Sequence, residues 1–166
     1  AGNYRLTWSG DAEVRVLGPV SNVVSGAGEI TFTYAGTGMV EIRVAPEEGS
    51  PPHDFVLLHE RDITAYEGGA IFDPVWLDLI GPVVQVRFMD WMVTNDSTVA
   101  LPADRPRAAH FSWALRGVPL EVMVELANRL GADPWFNIPH LASDDLMREM
   151  ALIVRDGLAP GLRAHV

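Results

Sequence analysis

The chain has 166 residues, 48% of them hydrophobic, which is ample for one ordinary domain or two small ones with packed cores. Its 22 acidic residues outnumber the 12 basic ones for a formal net charge of −10, which argues against nucleic acid as a partner, because affinity for a phosphate backbone comes from clustered Lys and Arg. All 12 basic residues are Arg, and Cys is absent as well as Lys, so thiol catalysis, disulfides, thiolate metal sites and Schiff-base chemistry are excluded together.

No apolar run reaches membrane-spanning length, so no membrane span is expected. The opening residues Ala1-Gly2-Asn3-Tyr4 lack the basic region and apolar stretch of a signal peptide, and the chain reads as a mature or excised portion of something larger.

Residues 1–66 read as an antiparallel β-module. Residues 4–8, 12–17, 29–34 and 39–44 alternate apolar with polar side chains, and 54–60 forms a fifth strand after a proline-rich loop. Five short strands joined by Gly-containing turns predict a small sandwich or meander.

From residue 67 to 166 the period changes to that of a β/α segment. Asp73-Pro74 starts a short helix that Gly81-Pro82 ends. Residues 83–89 form an apolar run expected to be a strand buried on both faces, and 95–107 a polar, proline-bearing loop. Pro119-Leu120 opens an amphipathic helix in which Leu120, Met123, Val124, Ala127 and Leu130 share a face, with Gly131 as its stop. Residues 135–140 are the next strand candidate. Ser143 caps a second helix with Asp144 and Asp145 in its first turn and an apolar stripe of Leu146, Met150, Ile153 and Val154. Residues 162–166 begin a further strand. Strand, helix, strand, helix, strand predicts right-handed crossovers, with three parallel strands whose carboxyl ends share one rim. Three strands cannot close a barrel, which takes eight.

The candidate site lies on that rim. In α/β sheets ligands bind beyond the carboxyl ends of the strands, and here those ends carry Arg87, Asp90, Trp91, Asn95, Trp135, Asn137 and His140. Flat aromatic rings and planar, bidentate polar groups suit a sugar, which offers an apolar C–H face and a rim of hydroxyls. Five of these residues have a structural alternative: Arg87 pairing with Asp90, Trp91 and Trp135 filling a core, His140 capping a loop. Tyr4, Trp8 and Tyr34 of the β-module offer a second aromatic face or simply its core.

The histidines show no metal-ligand spacing, the aspartates no EF-hand order, the serines no nucleophile elbow, and Gly26-Ala27-Gly28 leads into a strand and not a phosphate-binding helix. No cofactor or metal is expected.

Three stretches carry a resemblance: Arg87-Phe88-Met89-Asp90-Trp91-Met92 with Thr94-Asn95; Gly117-Val118-Pro119-Leu120-Glu121-Val122-Met123 with Ala127-Asn128-Arg129; and Asp133-Pro134-Trp135-Phe136-Asn137-Ile138-Pro139-His140 with Asp144-Asp145. They resemble a family of bacterial secreted proteins labelled cellulose-binding, itself similar to the retaining glycoside hydrolases built on a (β/α)₈ barrel. The resemblance is dense from about residue 69 to 166 and looser before it. It implies that 84–89 is an early barrel strand bearing an arginine near the catalytic carboxylates, and that 162–166 starts the strand bearing the acid/base glutamate. Retention needs two carboxylates about 5 Å apart, and neither is matched in this chain. The resemblance therefore implies an extracellular or periplasmic protein that binds polysaccharide or oligosaccharide, whose portion here does not itself cleave it. A remaining barrel segment or another subunit is the further partner expected; a structural or assembly component on a barrel-like scaffold is the alternative.

Overall fold

The computed structural model describes residues 1–110 and 112–166 and divides the chain into two compact units, Ala1–Asp73 and Pro74–Val166. It is a mixed α/β protein.

The first unit contains six strands: β1 (Gly2–Ser9), β2 (Ala12–Leu17), β3 (Val20–Gly26), β4 (Glu29–Tyr34), β5 (Glu41–Pro46) and β6 (His53–His59). Four form an antiparallel sheet in the order β3-β4-β1-β6, while β2 and β5 form a two-stranded antiparallel ribbon. Period-two alternation decides what each strand buries. Leu6, Ile30 and Phe32 from the sheet and Val14 and Val16 from the ribbon make one core cluster, with Tyr4, Trp8 and Tyr34 packed against it. Removing each large aliphatic side chain from water stabilises the unit by about 1.5–3 kcal/mol.

Strand β3 was not expected from the sequence. Its alternation is broken by a register shift between Ser21 and Val24, where Asn22 takes a left-handed backbone (φ 51°) and throws the later side chains out of phase. A short helix, α1 (Ile63–Glu67), was also unexpected, and the fourth predicted strand lies two residues later than its alternation suggested.

The second unit contains α2 (Pro74–Ile80), β7 (Gln85–Arg87), α3 (Leu120–Leu130), β8 (Asp133–Trp135) and α4 (Asp144–Gly157). The helices follow from the sequence almost residue for residue. Helix α3 buries Leu120, Met123, Val124 and Ala127, and Gly131 ends it in the left-handed conformation (φ 63°) that glycine adopts without steric cost. The Ser143 side chain accepts a hydrogen bond from Leu146 N at 3.3 Å to cap α4, whose Leu146 and Met150 are buried.

Strands β7 and β8 pair in parallel, Gln85 with Asp133, Val86 with Pro134 and Arg87 with Trp135. Residue 165 continues the pairing on the far side of β8: His165 N donates to Pro134 O at 2.8 Å and Phe136 N donates to His165 O at 2.8 Å.

Two strand expectations are corrected. The run 83–89 is not buried on both faces: Val84 is 88% exposed and only Gln85–Arg87 is a strand. Among the described residues β7 is paired with β8 alone, so its other edge carries no strand. The strand expected over 135–140 instead ends at Trp135, because Asn137 N leaves the ladder to donate to the Met92 sulfur at 3.0 Å and Pro139 has no N–H to offer. Among the described residues, no helix is long and apolar enough to cross a membrane.

Candidate functional site

Register in the parallel pair builds the first part of the site. Residues opposite each other on neighbouring strands point to the same face. Arg87 and Trp135 are such a pair, and the Arg87 guanidinium carbon lies 4.9 Å from the centre of the Trp135 ring. That is a cation–π contact on a half-buried indole. Arg87 is exposed and forms no ion pair with Asp90 or any other carboxylate among the described residues, so the expected structural pairing is not what holds it.

The turn after β7 supplies the second part. Phe88 is buried and donates its N–H to Trp135 O at 2.9 Å; its ring stacks on Phe136 at 5.7 Å and meets Trp91 at 5.5 Å, tilted by 40°. Trp91 in turn stacks on Trp76 of α2, centroids 6.4 Å apart and planes 17° from parallel. The aromatic series therefore runs from the α2 helix through the turn to Phe136, the residue after β8.

The turn is held in a costly conformation. Val93 has φ 48° and ψ 46°, a left-handed geometry that a β-branched residue adopts at a cost of about 1–3 kcal/mol and that clusters at ligand sites. Thr94 Oγ1 donates to Met89 O at 2.5 Å, and Val118 N donates to Trp91 O at 2.7 Å. Gly117 makes that approach possible, since a Cβ there would sit 2.4 Å from Trp91 O at φ 89°.

Asn137 makes the third part. Its backbone is tied to Met92, and its Oδ1 is buried with no hydrogen-bond partner among the described residues. A buried carbonyl oxygen left unmatched costs about 1–3 kcal/mol, a penalty that a donor arriving from outside would relieve.

Two groups result: Arg87 lies on Trp135, and Trp91 joins Trp76, Phe88 and Phe136, while the Asn137 N–H ties that loop to the Met92 sulfur. Asp90, Asn95 and His140 are exposed, and their side chains make no hydrogen bond or ion pair among the described residues.

Sequence reasoning missed two elements. Trp76 carries no sequence signal beyond its place in a short helix. Arg105, in the loop before α3, is 5% exposed; its Nη1 donates to both Glu121 carboxylate oxygens at 2.8 Å, and its Nε donates to Glu149 at 3.0 Å. Burial works against the Arg105 charge, yet Glu121 and then Glu149 more than offset it and hold the guanidinium above its ordinary value. Beside it, Asp104 Oδ2 accepts from Leu101 N at 3.0 Å and from Ala100 N at 3.3 Å, and these bonds hold its carboxyl below the usual range. No local signal marks Arg105, because its carboxylates lie 16 and 44 residues away.

No family model, curated protein or solved structure matches this chain.

Proposed function

We propose that the rim around Arg87, Trp91, Trp135 and Asn137 binds a carbohydrate, a β-glucan or cellulose-like poly- or oligosaccharide. One observation carries this reading: a half-buried indole with a guanidinium stacked on it stands two residues before an amide whose buried oxygen has no donor among the described residues. Sugar hydroxyls are donors and acceptors on the rim of an apolar ring, so an indole face takes the ring while Arg87 and Asn137 take the hydroxyls. Asp90, Asn95 and His140 are exposed on the same turns and extend the site.

The resemblance described above supports the same reading. In it, the first unit is a β-sandwich module and the second a segment of a (β/α)₈-type barrel, part of a glycoside-hydrolase-like protein whose catalytic carboxylates lie outside this chain. Titrating the chain with cello-oligosaccharides while following tryptophan fluorescence tests it. Saturable quenching or enhancement is the expected outcome; a flat response up to millimolar sugar overturns it.

A second reading, a non-catalytic structural or assembly component with a barrel-like scaffold, is favoured by one feature. A groove of about 450 Å³ between α4 and residues 164–166 is lined almost wholly by apolar side chains, among them Phe136, Ile138, Met147, Val154 and Val166. A further parallel β/α layer would bury it, as helices bury both faces of parallel sheets. The same titration separates the two, because a scaffold role requires no sugar response.

A further inference from the structure

We propose that the free edge of β5 pairs with β5 of a second copy of this chain, in antiparallel register about Ile42. Among the described residues β5 is hydrogen-bonded to β2 alone, so its outer backbone groups are unpaired. An open edge of this kind is a template for another strand, and proteins normally blunt it with bulges, prolines or lysines. The edges of the four-stranded sheet are blunted in this way. Strand β3 carries a register shift at left-handed Asn22, and β6 carries one opposite residues 7–9 with Asp54 at φ 52°. Strand β5 is regular through all six of its pairs with β2 and meets a proline only at its last residue.

Side-chain burial points to the same flank. Val14 and Val44 face each other across the ribbon, yet Val14 is 8% exposed and Val44 is 40% exposed. The core is sealed on the β2 side and open on the β5 side. A cleft lined by Tyr4, Phe32, Tyr34 and Leu57 of the sheet and by Val40, the residue before β5, also reaches the surface.

Charge selects the occupant. Glu41 and Arg43 share the exposed face of β5 and, among the described residues, ion-pair with each other alone, at 2.7 Å. When a strand meets its own copy about residue 42, position 41 stands opposite 43 and position 40 opposite 44. Glu41 then faces the second copy's Arg43 twice over, by symmetry, and Val44 gains the second copy's Val40 as an apolar neighbour. Both are favourable cross-strand pairs, and the contact is isologous, so it closes at a dimer. A single added strand pair buries less than a stable interface of about 1,200 Å² or more, so assembly is concentration-dependent.

Sedimentation velocity on the whole chain, from low micromolar to near-millimolar concentration, is the test. The expected result is a shift toward twice the protomer mass as concentration rises. Arg43→Glu places like charges opposite each other and should leave only protomer, with an unchanged circular dichroism spectrum. The double exchange Glu41→Arg with Arg43→Glu restores opposite charges in the same register and should restore the dimer. A chain that stays monomeric at every concentration overturns the proposal. So does a dimer that Arg43→Glu does not weaken, or one that the double exchange fails to restore.

Discussion

Trp135 is where the functional reading is most exposed to test, since it alone among the site residues receives a cation on its face. Replacing Trp135 by Ala removes the stacking platform and the partner of Arg87 at once, and a flat ring such as a nucleobase stacked on an aromatic side chain is worth about 1–3 kcal/mol, the scale adopted for the sugar ring. If the rim holds sugar, its affinity for cello-oligosaccharide should fall by roughly ten- to a hundredfold, measured by calorimetry so that loss of the fluorophore does not confuse the readout. Asp104 supports a prediction in pH. Its folded carboxyl is held low, first by the Leu101 N–H and then by the Ala100 N–H. A lowered folded value means that the group's contribution to stability is complete above the unfolded carboxylate pKa and is lost as pH falls through the folded one. Asp104→Asn should therefore flatten the acid limb of stability measured by urea unfolding between neutral and strongly acidic pH. An acid limb identical to that of the parent chain would show that Asp104 contributes nothing.

Among the elements, α3 and α4 show how a helix can be read from pattern alone. The apolar face of α3 recurs at three and four residues, its stop is a glycine that takes a left-handed turn, and α4 is capped by a serine hydroxyl. Each of these is a local property. Ser143→Ala should lower stability by about 1 kcal/mol, visible as a shift of the urea midpoint with the slope of the transition unchanged. Arg105 links the loop at 105 to both helices through Glu121 and Glu149. Burying a guanidinium is tolerable only when its donors are matched, so the ion cluster specifies where that loop lies against the helices. Strand β3 is the opposite case: one left-handed asparagine put its side chains out of phase, and pattern matching passed over it.

On the scale of the whole molecule, 22 carboxylates against 12 guanidiniums leave an acidic protein. Many of the guanidiniums are engaged by carboxylates on their own unit, as in Arg5–Glu67, Arg15–Glu13, Arg43–Glu41 and Arg129–Glu125. Surface pairs of this kind add little stability, but they leave few cations to meet an anion. The chain should accordingly fail to retard duplex DNA in a gel at physiological salt, and a clear mobility shift at micromolar protein would contradict this account of its charge.

The class of structure and much of its punctuation are legible in short stretches of the chain. The alternation in β1, β2 and β4, the faces of α3 and α4, their caps and the helix at Asp73-Pro74 are decided by neighbours within a few residues, and such information is written in the chain. Partners remote in the chain settled the rest: Arg87 lies on Trp135 and not against Asp90, Trp76 stacks on Trp91, the Asn137 N–H donates to the Met92 sulfur, and Arg105 is buried between two glutamates. Each of these joins residues separated by 15 to 48 positions. Strand register and loop path choose such partners, and neither leaves a periodic trace in the residues themselves.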